Sequence, residues 1–144
     1  MSRIDLFLVL LVVGLASGAD VLPATSPATQ PLPKVTYLFY GYPVFDTRIV
    51  VFPDGRFSVS QKLLNGQNVR REGVLTPDDN AKLDTLLLDW RTLEPVYHVV
   101  PDGPQYRITY DGHEVTADGE DKTPPLFNEV RGLIEKAAKT RERQ

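Results

Sequence analysis

Two histidines are the first side chains of this sequence to consider for chemistry, because the chain has no cysteine. Neither His98 nor His113 has a second histidine at the spacing expected of ligands on one helix. A zinc site would therefore need both histidines and a carboxylate such as Asp102 or Glu114, brought together by the fold. His113 directly follows a hairpin turn, where an exposed polar residue is expected. We predict no metal site.

The densest group of acids is Asp118-Gly119-Glu120-Asp121. It lacks the alternating ligands and the closing Glu of a calcium loop. It also precedes a predicted helix, where negative charge is favourable. We interpret these acids as part of a helix start.

Paired carboxylates could hydrolyse a substrate by acid–base catalysis. The other candidates, Asp102, Asp111 and Glu114, lie at turns, where acids are common. The sequence has neither a nucleophile elbow nor a Gly-rich phosphate loop. We therefore predict that the protein is not an enzyme and has no cofactor. The alternative is a small extracytoplasmic hydrolase or metal-dependent enzyme that uses the turn carboxylates and His113.

Aromatic residues cluster between Val35 and Phe45, which read VTYLFYGYPVF. Two interpretations remain open: burial beneath a helix, or a contact surface, since aromatic residues are enriched in interface cores. Strand pairing with a partner would be one mode of contact. In the second interpretation Tyr37, Tyr40 and Tyr42 anchor a protein partner.

The N-terminus has the three-part layout of a secretory signal. Arg3 precedes an apolar run from Leu6 to Ala16, and small residues follow up to Ala19. The run is too short for the roughly 20 residues of a membrane span. We predict a signal peptide over residues 1–19, an exported (periplasmic or secreted) protein, and no membrane span after cleavage. An uncleaved anchor is the alternative.

The next segment, residues 20–33, is rich in proline and predicts a disordered linker. A single α+β domain is expected over residues 34–139, followed by a charged tail over residues 140–144. The net charge of −3 argues against nucleic acid as a partner, because phosphate binding needs a concentrated basic face. We expect a monomer.

Alternating apolar residues and turn signals predict the strands of this domain. The hairpin turns are expected at Asp54-Gly55, Asn65-Gly66 and Asp111-Gly112. The predicted strands are Lys34 to Tyr40, Thr47 to Phe52, one around Phe57 and Val59, Val69 to Leu75, Tyr106 to Tyr110, and Glu114 to Ala117.

Two helices are predicted, each opened by Thr-Pro, because Thr caps free N–H groups and Pro suits the first helical position. The first starts at Thr76 and ends at Glu94-Pro95; the second starts at Thr123. Their apolar stripes are Leu83, Leu86, Leu87 and Trp90, then Leu126, Val130, Leu133, Ile134 and Ala137. The fold class is therefore α+β, an antiparallel sheet of about 5–6 strands with two helices packed on one face.

A family resemblance rests on turn and cap residues that occur in one order along the chain: Asp54-Gly55, Gly73, Leu75-Thr76-Pro77, Leu86-Leu87, Pro101-Asp102, Tyr106-Arg107-Ile108, Asp111-Gly112 and a last amphipathic helix. Over residues 45–138 the chain resembles a family of small uncharacterised bacterial domains, often found behind signal peptides. A more remote likeness is to emfourin-type protein inhibitors of metalloproteases. The resemblance implies no catalytic residue and matches no inhibitory residue. It adds support only for protein binding. Predicted export, small size and the missing catalytic motifs lead us to expect an exported, non-enzymatic protein-binding module, such as an inhibitor.

Overall fold

The strands of this chain form one sheet, seen in a computed structural model that describes residues 29–41 and 44–140. The chain divides into two units, residues 1–31 and residues 32–144, and the sheet belongs to the second unit. The described residues form seven strands in the order β4-β3-β2-β1-β6-β7-β5. The strands are β1 (Val35–Tyr40), β2 (Val44–Val51), β3 (Arg56–Leu63), β4 (Asn68–Val74), β5 (Val96–Tyr97), β6 (Gln105–Tyr110) and β7 (His113–Ala117).

Neighbouring strands are antiparallel except β5 and β7, which are parallel. Tight hairpins explain most of this order, because consecutive strands joined by short turns pair directly. At Asp111-Gly112 both residues have positive φ, 47° and 73°, the geometry of a two-residue hairpin turn. Strand β1 lies in the middle and joins the β2–β4 meander to the β6–β7 hairpin.

Within the described residues, two helices cover one face of the sheet. Helix α1 (Pro77–Leu87) starts where Thr76 Oγ1 accepts a hydrogen bond from the Asp79 N–H at 3.1 Å. Helix α2 (Pro125–Thr140) lays Phe127, which stacks on Trp90 with ring centroids 5.9 Å apart, against the core. The largest fully buried side chains are Trp90, Phe127, Leu83, Leu87, Ile108 and Ile134, together with Val35, Val51, Val59, Val115 and Val130.

Side chains alternate between the two faces of each strand. In β1, Val35 and Tyr37 are buried on the face that the helices cover, while Tyr40 lies on the opposite, open face. Strand pairing extends both faces across the sheet, since Tyr37 lies opposite Ile49 on one side and Ile108 on the other. The covered face is apolar and the open face is mostly polar, as expected for a two-layer α+β fold.

The predicted α+β class is confirmed. The sheet has seven strands rather than five or six, and it is mixed rather than wholly antiparallel, because the short β5 pairs parallel with β7 at one edge. The first helix is shorter than predicted. It ends at Leu87, and Trp90 belongs to a 3₁₀ turn (Trp90–Thr92). The indole N–H of Trp90 donates to the His113 carbonyl at 3.1 Å, which draws Trp90 into the core from outside the helix.

The second apolar stripe differs from the prediction at two positions. The predicted Leu126 and Ala137 are half-buried, whereas their neighbours Phe127 and Ala138 are buried. Residues 29–33 of the predicted linker are exposed and have no regular structure, and residues 1–28 lie outside the described part. Neither helix in the described ranges has the length and apolar character needed to cross a membrane.

Candidate functional site

A groove of about 430 Å³ opens on the covered face, between strands β1–β4 and β6 and the C-terminal half of α2. We call it the α2 groove. It is lined by Tyr37, Phe39, Thr47, Ile49, Val59, Gln61, Arg71, Tyr106, Glu135, Ala138 and Lys139.

Strand register explains why these residues share one surface. Phe39 lies opposite Thr47, and Thr47 lies opposite Gln61, so one row of side chains crosses three strands. The neighbouring row contains Ile49 opposite Val59. Helix α2 ends at Thr140, and its Ala138 and Lys139 line the groove beside these rows. Thr47, Ile49 and Val59 are buried, whereas Phe39 and Gln61 are half-buried. The floor of the groove is therefore continuous with the hydrophobic core.

Tyr37 forms the inner wall of the groove. It is only 3% exposed, and its hydroxyl donates a hydrogen bond to Glu135 Oε1 at 2.6 Å. Burial, together with this bond to a carboxylate, raises the pKa of Tyr37 far above its ordinary value. The phenol therefore stays neutral at physiological pH, and Tyr37 ties α2 to the sheet.

Tyr106 and Phe39 form an aromatic wall, with ring centroids 4.8 Å apart. Burial raises the pKa of Tyr106, so this phenol is also neutral. The Arg131 guanidinium lies 4.4 Å from the centroid of the Tyr106 ring, a cation–π contact that holds the ring against α2. These contacts place the Tyr106 ring between Phe39 and α2.

The opposite wall is polar. The Gln61 amide donates to Thr47 Oγ1 at 3.4 Å and accepts from Arg71 Nη2 at 2.9 Å. This chain of bonds crosses β2, β3 and β4 and places the Arg71 guanidinium on the lining of the groove. Lys139 adds a second cation from α2. An apolar floor with a few converging polar groups is the usual composition of a binding site.

Two of the three predicted anchor tyrosines, Tyr37 and Tyr40, lie on opposite faces of the sheet. Tyr37 is a core residue, which corresponds to burial beneath a helix, the first of the two interpretations above. Tyr40 is 39% exposed on the open face, because the side chains of Tyr37 and Tyr40 alternate along β1. Tyr42 lies outside the described residues. The structure therefore does not bring Tyr37 and Tyr40 together in a contact patch.

His113 is half-buried rather than exposed as predicted. Its Nε2 is 2.8 Å from the Leu93 carbonyl, so the ring links β7 to the chain after the 3₁₀ turn. Two of the turn acids that the hydrolase alternative requires contact arginines: Asp111 pairs with Arg91 at 2.6 Å, and Glu114 pairs with Arg107 at 3.4 Å.

His98 contacts an acid that the sequence placed at a helix start. Its Nδ1 lies 2.5 Å from Asp118 Oδ2, and the Asp118 side chain is 2% exposed. Asp118 also accepts from the Glu120 N–H at 2.9 Å and the Thr123 hydroxyl at 3.3 Å. The bond from His98, followed by that from Glu120, lowers the pKa of Asp118. Asp118 is thus a buried acceptor that orders the loop between β7 and α2, not a solvated acid.

Over residues 29–41 and 44–140, no three His, Cys, Asp or Glu side chains are grouped as they would be around a metal ion. Apart from Tyr37, the residues that line the α2 groove are not among those that the sequence pattern indicates as candidates. The one available signal was polarity at strand positions: Thr47, Gln61 and Arg71 are polar residues on the face that elsewhere carries Ile49, Val59 and Phe57.

No protein-family model matches the chain, and no curated protein matches its sequence significantly. The comparisons therefore support neither the family of exported bacterial domains nor the emfourin-type inhibitors as relatives.

Proposed function

We propose that this protein is an exported, non-enzymatic module that binds a protein partner. In this proposal the α2 groove takes an apolar side chain of the partner that lies beside a carboxylate. The observation that carries the proposal is the composition of the groove, in which an apolar floor is bordered by two cations, Arg71 and Lys139.

The titratable groups of the groove favour binding over catalysis. The phenols of Tyr37 and Tyr106 are held neutral, and the Glu135 carboxylate is engaged by Tyr37. General base catalysis needs a group whose pKa lies near the working pH and whose acceptor atom is available to substrate. These groups serve better as a rigid, oriented wall.

Charge determines which apolar ligand the groove prefers. Arg71 and Lys139 lie on the lining, and among the described lining residues the acid is Glu135, which accepts a hydrogen bond from Tyr37. The two cations outweigh the single charge of Glu135, so a ligand carboxylate is held more strongly than a ligand ammonium. Such partly exposed ion pairs contribute up to about 1 kcal/mol each, about a five-fold change in affinity.

The test is a titration of ¹⁵N-labelled protein with 3-phenylpropionate, which mimics an apolar side chain beside a carboxylate. We expect saturable shifts of the Thr47, Gln61 and Arg71 amides. Phenethylamine, an equally apolar probe of opposite charge, should bind at least about five-fold more weakly.

The matched variants are Lys139→Glu, which reverses a groove cation, and Lys82→Glu, which reverses an exposed charge on α1. Lys139→Glu should weaken 3-phenylpropionate binding, and Lys82→Glu should leave it unchanged. Equal binding of the two probes, or shifts confined to the open face, would overturn the proposal.

A further inference from the structure

Strand β4 is an edge strand of the sheet in the described part of the chain. Hydrogen bonds to the β3 side flank both ends of β4. After β4, the Leu75 N–H donates to the Gly55 carbonyl; before β4, the Gln67 carbonyl accepts from the Leu63 N–H. Antiparallel ladders alternate between bonded and non-bonded pairs. The main-chain groups of the even-numbered residues, Asn68, Arg70 and Glu72, therefore face away from β3, where an added strand could bond to them.

This edge borders the α2 groove. Arg71 of β4 lies opposite Val59, and Val69 lies opposite Gln61. Of these four residues, Arg71, Val59 and Gln61 line the groove. A strand added beside β4 would send alternate side chains to the covered face, next to Val69 and Arg71. One of these side chains could then enter the α2 groove across the β4 edge of the sheet.

The charged side chains of β4 determine which residue types an added strand should carry. Arg71 lies on the covered face, whereas Arg70 and Glu72 lie on the open face, where they pair at 3.1 Å. Opposite charges directly across a strand pair are stabilising and like charges are destabilising. A matching segment therefore carries acids opposite Arg70 and Arg71, and an apolar residue opposite Val69.

We propose that the partner contributes an extended acidic segment that pairs antiparallel with β4 as an eighth strand and places one apolar side chain in the α2 groove. This inference rests on the proposed function and specifies how the partner is held. Main-chain bonds to β4 supply part of the affinity, and the groove and the arginines supply the specificity.

A second copy of the chain fits this edge less well. A symmetric antiparallel pair of β4 strands centred on Arg70 or Glu72 places that residue opposite its own copy. Centred on Arg71, it pairs Arg70 with Glu72 of the other copy but sets the two Arg71 side chains opposite each other, and centred on Val69 it sets no acid opposite Arg70 or Arg71. A foreign acidic segment meets no such restriction. Charge complementarity therefore favours the partner segment.

The probe is a fluorescein-labelled peptide, Thr-Thr-Lys-Glu-Glu-Phe-Thr-Thr, with blocked ends. In the proposed register Lys faces Glu72, the two Glu face Arg71 and Arg70, and Phe faces Val69. Methylating the amide nitrogen of the second Glu removes an N–H directed at β4, whereas methylating that of Phe alters an N–H directed away from it. By fluorescence anisotropy, the first change should weaken binding about ten-fold and the second much less.

Two protein variants make the corresponding comparison on β4 instead of on the peptide. Arg70→Pro removes an outward N–H without breaking the β3–β4 ladder, and Arg70→Ala removes the same side chain but keeps the N–H. Binding of the peptide should be weaker to Arg70→Pro than to Arg70→Ala, while both variants bind 3-phenylpropionate as the parent does. That last measurement also shows that both variants are folded.

The inference is overturned when the two methylated peptides bind equally, or when the unmodified peptide does not bind although 3-phenylpropionate does. In the second case the proposed function stands without strand addition. It is also overturned when sedimentation shows a dimer of the parent chain that Arg70→Pro dissociates, since a second copy then occupies the edge. Failure of 3-phenylpropionate to bind the parent protein identifies the proposed function itself as the error.

Discussion

Tyr37 and Tyr40 are three residues apart in β1 and lie on opposite faces of the sheet. Tyr37 is 3% exposed and bonded to Glu135, whereas Tyr40 is 39% exposed. Replacing Tyr37 by Ala should cost about 3–5 kcal/mol of the free energy of unfolding, because it leaves a cavity and an unpaired carboxylate. Tyr40→Ala should change it by about 0.5 kcal/mol. Urea unfolding measures both, and equal effects would contradict the face assignment.

Asp118 predicts a specific dependence of stability on pH. Its pKa is lowered in the folded protein, so its contribution is complete above its ordinary pKa of about 3.9 and is lost as the pH falls through the lower, folded value. Asp118→Asn should therefore be less stable than the parent at pH 7 by about 1–3 kcal/mol, and this difference should shrink below pH 4.

Urea unfolding between pH 7 and pH 2 measures this effect. The control is Asp121→Asn, which neutralises an exposed acid of the same loop. A difference between the parent and Asp118→Asn that stays constant across this range would show that folding does not lower the pKa of Asp118.

Secondary-structure elements could be predicted where local chemistry determines them. Asp111-Gly112 adopts the positive φ values expected from its turn sequence, and Thr76 caps α1 as predicted. The end of α1 could not be predicted, because Trp90 continues the helical spacing of Leu83 and Leu87. Its position depends on the carbonyl of His113, which is 23 residues away.

The groove could not be predicted for a related reason. The bond from Tyr37 to Glu135 spans 98 residues, and the chain from Thr47 through Gln61 to Arg71 requires the register of three strands. Residue type alone shows that these side chains are polar or aromatic, but strand order decides that they share one cavity.

Alanine substitutions at two glycines in different elements should have opposite effects on the free energy of unfolding. A Cβ on Gly73 of β4 would overlap the ring of Phe57, which lies over it, so Gly73→Ala should cost about 1–3 kcal/mol. A Cβ on Gly132 of α2 meets no atom within 4 Å, and alanine favours the helix by about 0.5–1 kcal/mol. Thermal unfolding of both variants checks this, and a stabilised Gly73→Ala would contradict the packing of Phe57.

The whole molecule is proposed to act outside the cytoplasm, and this depends on residues 1–19. We expect mass spectrometry of the protein purified from cell extracts and culture medium to show a chain that begins at Asp20, because small residues precede that position. A cytosolic protein that begins at Met1 would contradict export, while the groove and its ligand preference would stand.

The central claim is that the ligand binds on the face of the sheet that the helices cover. Intermolecular nuclear Overhauser effects test this claim directly. With 3-phenylpropionate bound, we expect contacts from the phenyl protons to the methyl groups of Ile49 and Val59, which line the α2 groove. Contacts to the methyl groups of Leu38 and Val50, on the opposite face, would contradict the account.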